Sequence, residues 1–327
     1  MESMGKVSII IPVYNGEKTI SKTLDSLLAQ TYKNWDALVV NDGSTDRTQE
    51  VLAQYNNKFP DKIMVSSHEN MGQAATRNKA IQETSGKYIM FVDADDYVDP
   101  DYIECYVTAI ESGDFDCVVG GFRREDESGK VIKRFQPVNN WTIYANMGVC
   151  SRLIRKEILI RNDIKYLNIS IGEDSYFNFS VFSKTKKIKI IQNDGYVWFL
   201  NHDSISFRKH TGFSVTNEIF CLLNNLAEII DVSDELNQAW LVRYVVWYIL
   251  FSGRNATSEE FLETDAVLFE WLLAHKVKIK FPVRGITDGE TLKIKFCVKM
   301  YLIMRRYNLL KIFAKIYCRS KRQENVN

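Results

Sequence analysis

Short unbroken apolar runs alternate, over the first third of the chain, with segments whose apolar residues recur every three or four positions. Val7-Ser8-Ile9-Ile10-Ile11-Pro12-Val13 is β-branched and has no polar face. That predicts a central strand buried on both sides, with Pro12 ending its pairing. Residues 17–30 place Ile20, Leu24, Leu27 and Leu28 on one helical face. A second strand is expected over 36–40, followed by a helix through Val51, Leu52 and Tyr55 that Asp46 would cap. Ile63-Met64-Val65 is a third strand, and Asn70-Met71-Gly72 opens a helix bearing Ala74, Ala75, Arg77, Asn78 and Ile81. Tyr88-Ile89-Met90-Phe91-Val92 is a fourth strand. Strands alternating with helices at this spacing predict a parallel sheet with right-handed crossovers.

The polar residues Tyr14, Asn15, Asp42 and Asp93 all fall just past strand ends, hence along one rim, where α/β sheets bind ligands. Behind the fourth strand the chain sets three carboxylates, Asp93, Asp95 and Asp96. Burying unpaired carboxylates costs several kcal/mol, so such a cluster faces a cation or a partner. The D-x-D pattern alone is weak, because Asp99-Pro100-Asp101 and Asp114-Phe115-Asp116 share it. Asp99 suits a helix N-cap with Pro100 behind it, and Asp114 suits a turn. Ser44, Thr45 and Asp46 read as turn and cap residues; Asp42 stays open between turn and ligand.

Composition narrows the class. A chain of 327 residues, 46% hydrophobic and 25% charged, builds one large domain or two ordinary ones. A net charge of +1 argues against a nucleic-acid partner. Yet from Lys293 to Arg322 there are ten Lys or Arg and no acid. Six scattered cysteines without a C-x-x-C pair imply free thiols and a cytoplasmic setting. No secretory leader and no bilayer-spanning run is expected. The four histidines form no H-x-x-x-H pair, which speaks against zinc. Helical spacing returns at 217–231, 236–251 and 258–275. Residues 291–322 read as a basic amphipathic helix, or a pair broken at Asn308. It would lie on the inner face of an anionic membrane, or pack to form a homo-oligomer; both readings stay open.

Four stretches in register, VSIIIPVYNGEKTI, VVNDGSTDRT, ENMGQAATRNKAI and YIMFVDADDYV, resemble the family 2 glycosyltransferases. The likeness is close over about 5–125 and looser to about 206. It implies a GT-A fold over 1–212, Rossmann-like with a mostly parallel sheet and helices on both faces. A nucleotide-sugar half (about 5–125) and an acceptor half (126–212) would precede a smaller helical region, 213–327. The resemblance further implies that Pro12, Tyr14, Asn15, Glu17 and Asp42 hold the base and ribose of a nucleotide diphosphate sugar, with a UDP-sugar the expected donor. Asp93 would lie near the ribose, Ala94 would belong to the nucleotide-sugar site, Asp95 would bind a divalent cation, and Arg77 would lie near the nucleotide. Oxygen-only ligation favours Mg²⁺ or Mn²⁺.

Gly172-Glu173-Asp174-Ser175-Tyr176-Phe177 resembles the family's acidic motif, whose second acid, here Asp174, serves as general base; by itself it also reads as a helix N-terminus decorated with acids. Ser204-Ile205-Ser206 resembles a segment that closes over the diphosphate, with His202 or Arg208 standing where relatives carry an arginine. Glu173, His202, Ser204 and Ser206 are thus candidate diphosphate or acceptor contacts. The Q-x-x-R-W motif of processive members is absent, which favours addition of a single sugar to a glycan, lipid-linked or glycoprotein acceptor. A sugar-phosphate nucleotidyltransferase is the competing enzyme class, but its G-x-G-x-R loop is missing after the first strand. A non-catalytic nucleotide-binding scaffold is the third reading; retention of Asp93, Asp95 and Asp174 argues against it.

Overall fold

The computed structural model describes residues 4–200 and 212–318. They gather into two compact units, one of 4–138 with 147–200, the other of 139–146 with 212–318.

The first unit is built on a seven-stranded sheet. Its strands are β1 (Val7–Val13), β2 (Trp35–Asp42), β3 (Ile63–His68), β4 (Tyr88–Phe91), β6 (Cys117–Val119), β9 (Arg152–Arg155) and β10 (Ile188–Ile190), in the order β10-β6-β9-β4-β1-β2-β3. All neighbours are parallel except those of β9, which runs against both β4 and β6. Helices α1 (Ile20–Leu28), α2 (Thr48–Lys58) and α3 (Gln73–Glu83) supply the crossovers between the first four strands. Every residue of β1 and β2 is buried, as sequences without a polar face require.

Pro12 does not end the pairing of β1, because the register with β2 continues through Pro12 opposite Val40 and Val13 opposite Asn41. Alternate residues point their backbone groups to the same side. Ile10 accepts from Val92 on the β4 side (3.1 Å), so the N–H that Pro12 lacks also falls there, beyond the last β1–β4 pair. Helix α1 is shorter than expected, and α2 starts at Thr48, so Asp46 lies just before its N-cap, Arg47.

A second, four-stranded sheet stacks β5 (Tyr97–Val98), β11 (Tyr196–Phe199), β7 (Phe122–Glu125) and β8 (Val131–Phe135) in that order. The polar stretch after Phe122 is the β7–β8 hairpin. Helix α4 (Tyr102–Glu111) has Asp101, not Asp99, at its N-cap position, and no side chain caps it there. Asp99 instead receives both terminal nitrogens of Arg123, at 2.6 and 2.7 Å. Asp114 ion-pairs with Lys187. Helices α6 (Lys156–Arg161) and α7 (Glu173–Lys184) complete this unit.

The second unit is helical: α5 (Asn140–Ala145), α8 (Thr216–Ile229), α9 (Glu235–Gly253), α10 (Ser258–Ala274), α11 (Leu292–Arg306) and α12 (Leu310–Tyr317). The expected division placed 139–146 with the acceptor half. The helix there belongs with the second unit, since Trp240 donates its indole N–H to Tyr144 O (2.9 Å) and Trp141 meets Phe281 edge-on at 5.8 Å. Thr257 caps α10 through a box closed by Glu260. Asn308, with φ 55°, turns the chain between α11 and α12. No helix among the described residues is long and apolar enough to cross a membrane.

Candidate active site

The rim of the large sheet is assembled from loops that brace one another. After β1 the backbone of Asn15 turns left-handed (φ 52°). Its N–H donates to Ser44 Oγ (2.9 Å) and its Oδ1 accepts from Thr45 N–H (2.8 Å). Gly16 N–H donates to Thr48 Oγ1, Glu17 N–H to Asp46, and Glu17 Oε2 accepts from Arg47 N–H. Asn15 and Glu17 thus zip the loop after β1 to the loop after β2, while the Tyr14 ring stands 45% exposed.

Asp42, at the end of β2, is buried and spends both carboxylate oxygens on the loop before α3. It accepts from Met71 N–H (2.8 Å) and Gly72 N–H (3.0 Å), with His68 Nδ1 at 3.3 Å. Gly43 beside it adopts φ 73°, and a Cβ there would lie 2.6 Å from Asn70 N. Only glycine lets these two loops close.

The carboxylate cluster after β4 divides into three roles. A turn, closed by Asp96 N–H on Asp93 O (3.1 Å), swings Asp96 inward. There its carboxylate accepts from Tyr196 O–H (2.5 Å) and Phe199 N–H (2.9 Å), tying the loop to β11. Burial, Asp93 and Asp95 hold its pKa well above the usual carboxylate range. Thr23 of α1 donates to the carbonyls of Ala94 and Asp96, fixing the backbone between them. Of the three carboxylates expected to face a cation or a partner, Asp96 thus finds its partners within the protein and acts as a strut. Asp95 is left without a cationic side chain among the described residues, and burial followed by the charge of Asp93 pushes its pKa up to about 6.

Asp93 has a different partner. Arg77, projecting from α3 and only 1% exposed, donates Nη2 to Asp93 Oδ1 (2.9 Å) and Nη1 to Asp174 Oδ1 (3.0 Å). Its guanidinium lies over Tyr166, with centroid distance 5.3 Å, and Tyr166 stacks on Phe177 at 4.1 Å. Burial opposes its charge, but Asp174, Tyr166 and Asp93 outweigh that and hold the pKa above the ordinary arginine value.

Asp174 stands in the first turn of α7, entered through Gly172 in the left-handed region (φ 87°). Burial raises its pKa against the pull of Arg77, and Asp93 raises it further. Asn178 braces this turn by donating to Asp174 O and Met147 O. A carboxylate with raised basicity, one oxygen held in place, is equipped to accept a proton.

Sequence reasoning gave no individual role to several neighbours, although Arg152 lies in a stretch, 151–156, that resembles the family's acceptor-side strand. Cys150, two residues before β9, sets its thiol 3.5 Å from Asp93 Oδ2. Burial, then Asp93 and Asp96, hold that thiol well above its usual pKa. Arg152, 1% exposed, donates to Gly148 O and Cys150 O, and burial lowers its pKa. Tyr196 receives Asp93 N–H (3.2 Å) while donating to Asp96. The one signal in the sequence was an arginine, Arg152, set directly before the apolar pair Leu153-Ile154. His202, Ser204, Ser206 and Arg208 lie outside the described residues.

The family model described as Glycosyl transferase family 2 matches residues 8–185, more than half of the chain. The chain belongs to that family. GlyA, a glycosyltransferase of Streptococcus pneumoniae, is 29% identical over 223 residues, 62% of this chain and 31% of its own length. The poly(ribitol-phosphate) beta-glucosyltransferase of Bacillus spizizenii is 30% identical over 208 residues, 61% of this chain and 33% of its own. This chain therefore spans about a third of the length of these two relatives. Staphylococcus aureus TarS 1–349, solved with UDP-GlcNAc, is similar with a TM-score of 0.70 at 21% identity, over 98% of this chain and 92% of that one. The fold of this family 2 member is GT-A.

A divalent cation fits the family site in one way. No cluster of three His, Cys, Asp or Glu able to hold a metal occurs among the described residues. Asp95 is a partly buried carboxylate with no cationic partner among them, so a hard cation there would take its oxygen and complete its shell from ligand oxygens and water. That suits Mg²⁺ or Mn²⁺, which dehydrate reluctantly or bind oxygen donors.

Proposed function

We propose that this chain is an inverting, metal-dependent glycosyltransferase. It moves one sugar from a nucleotide diphosphate donor, a UDP-sugar, to a hydroxyl of a glycan, lipid-linked oligosaccharide or glycoprotein. The observation that carries the reading is the sharing of Arg77 by Asp93 and Asp174. It sets a carboxylate of the strand-end cluster and a helix-borne carboxylate against one rigid fork.

In this reading Asp93, Ala94 and the loops bearing Pro12, Tyr14, Asn15, Glu17 and Asp42 receive the nucleotide. Asp174 takes the proton of the acceptor hydroxyl as its oxygen bonds to the anomeric carbon. The bond from that carbon to the diphosphate breaks, and its electron pair leaves with the diphosphate. Asp95 would hold the divalent cation, which when bound would supply charge neutralisation for that leaving group. Glu173 and the segment bearing His202, Ser204 and Ser206 serve as diphosphate or acceptor contacts. The UDP-GlcNAc bound by TarS 1–349 supports a UDP donor, and the name of the Bacillus relative supports a polymeric polyol or glycan acceptor.

Steady-state transfer measured beside donor titration tests this. Asp174→Asn is expected to keep Mn²⁺-dependent UDP-sugar affinity and lose about 10²–10⁴-fold in turnover. Glu173→Gln is expected to lose less. Near-normal turnover of Asp174→Asn would place the base elsewhere.

A further inference from the structure

We infer that the outer faces of α11 and α12 form a docking surface for an anionic lipid membrane. The inference is independent of the proposed chemistry.

Helix α11 packs inward through Val298 and Tyr301. Tyr301 stacks on Phe269 and donates its hydroxyl to Asp265 (2.6 Å), which also holds Arg305 at 3.1 Å. At 100° per residue, the opposite side of this helix carries Leu292, Phe296, Met300, Ile303 and Tyr307. A face turned to water should be polar. Here Leu292 is 82% and Phe296 65% exposed. Helix α12 repeats the arrangement. Leu310 and Ala314 are buried, and Phe313 and Tyr317 lie against Phe261 of α10. Leu309, Ile312 and Ile316 point the other way, Ile316 at 73% exposure. Both helices therefore pack on α10 and present an apolar stripe away from it.

The charge beside the stripes identifies the occupant. Residues 291–318 hold seven Lys or Arg and no acid. Two of the seven face inward and are satisfied, Lys295 on Val283 O and Arg305 on Asp265. The other five, Lys293, Lys299, Arg306, Lys311 and Lys315, are exposed beside the apolar residues. Large apolar side chains flanked by uncompensated cations match the boundary between acyl chains and anionic headgroups. A second copy of the chain matches poorly. A two-fold contact sets a patch against itself, so these cations would face their own equivalents.

The test is flotation of the full chain with vesicles of phosphatidylcholine alone, or of phosphatidylcholine and phosphatidylglycerol in equal parts. Binding is expected to the anionic vesicles, to weaken with salt, and to be near background on the neutral ones. Phe296→Ser combined with Ile316→Ser, and separately Lys299→Glu combined with Lys311→Glu, should each weaken it by roughly tenfold or more. Equal recovery with both vesicle types, or binding to neither, would overturn the inference. So would a self-association in sedimentation that Phe296→Ser with Ile316→Ser abolishes while vesicle binding is unchanged. The comparison of the two vesicle types with the unaltered chain decides the matter even if a variant is unstable.

Discussion

Asp174 Oδ1 lies 3.0 Å from Nη1 of Arg77, and the other terminal nitrogen of that same guanidinium holds Asp93. The position of the acid at the head of α7 is therefore set from α3, through a cation buried on an aromatic stack.

Removing this cation leaves two neighbouring carboxylates without the guanidinium that pairs them. Arg77→Ala is expected to cost about 3 kcal/mol of stability, the scale for breaking a buried pair, and to abolish transfer. Arg77→Lys keeps the charge but offers a point donor in place of a fork, so it should recover much of the stability and little of the turnover. Urea denaturation beside a transfer assay separates the two. Equal activity of Lys and Arg at this position would mean that the fork geometry is idle.

Asp95 presents the opposite case, a carboxylate without a cationic partner among the described residues. Asp95→Ala should leave the melting temperature of the metal-free chain within a few degrees of the original. It should also eliminate the Mn²⁺-dependent part of UDP affinity. Calorimetry with UDP, with and without Mn²⁺, reads this directly; unchanged metal dependence in the variant would refute the role given to Asp95.

The acid stability of the first unit should rest partly on Glu111. Burial opposes its charge, but Tyr88 O–H (2.7 Å), Lys87 Nζ (2.9 Å) and Gly5 N–H (3.1 Å) prevail and hold its pKa down to about 2. A depressed folded pKa contributes stability above the unfolded value, near 4.5, and that contribution is lost as pH falls toward about 2. Glu111→Gln should thus be less stable by about 2 kcal/mol at neutral pH, with the gap closing in that acid window. Urea midpoints across pH give the answer, and a gap independent of pH would contradict it.

How much of this was legible in the sequence follows from physical locality. β1, β2 and β4 announce themselves because strands buried on both faces are mostly apolar runs with no polar face. The long helices α8 to α10 show their apolar spacing, and the ends found lie within a few residues of those expected. What local patterns could not reveal were decisions made by distant partners. Asp99 looked like a cap until Arg123 claimed it. Asp93, Asp95 and Asp96 looked alike until Arg77, a turn and Tyr196 separated them. Nor does anything in Arg152-Leu153-Ile154-Arg155 say that this strand runs backwards.

That reversal has a practical meaning for altering the chain. Because β9 opposes β4, with Met90 beside Leu153 and Tyr88 beside Arg155, its beginning reaches the rim and its end the far edge of the sheet. Cys150 can touch Asp93 for this reason. A residue added just before Arg152 would shift the thiol against Asp93, whereas a change at the Arg155–Lys156 junction falls at the far edge, where Lys156 N–H is held by Lys87 O (2.9 Å). The two ends of a four-residue strand thus act on different places, the first on the rim and the last on the opposite edge.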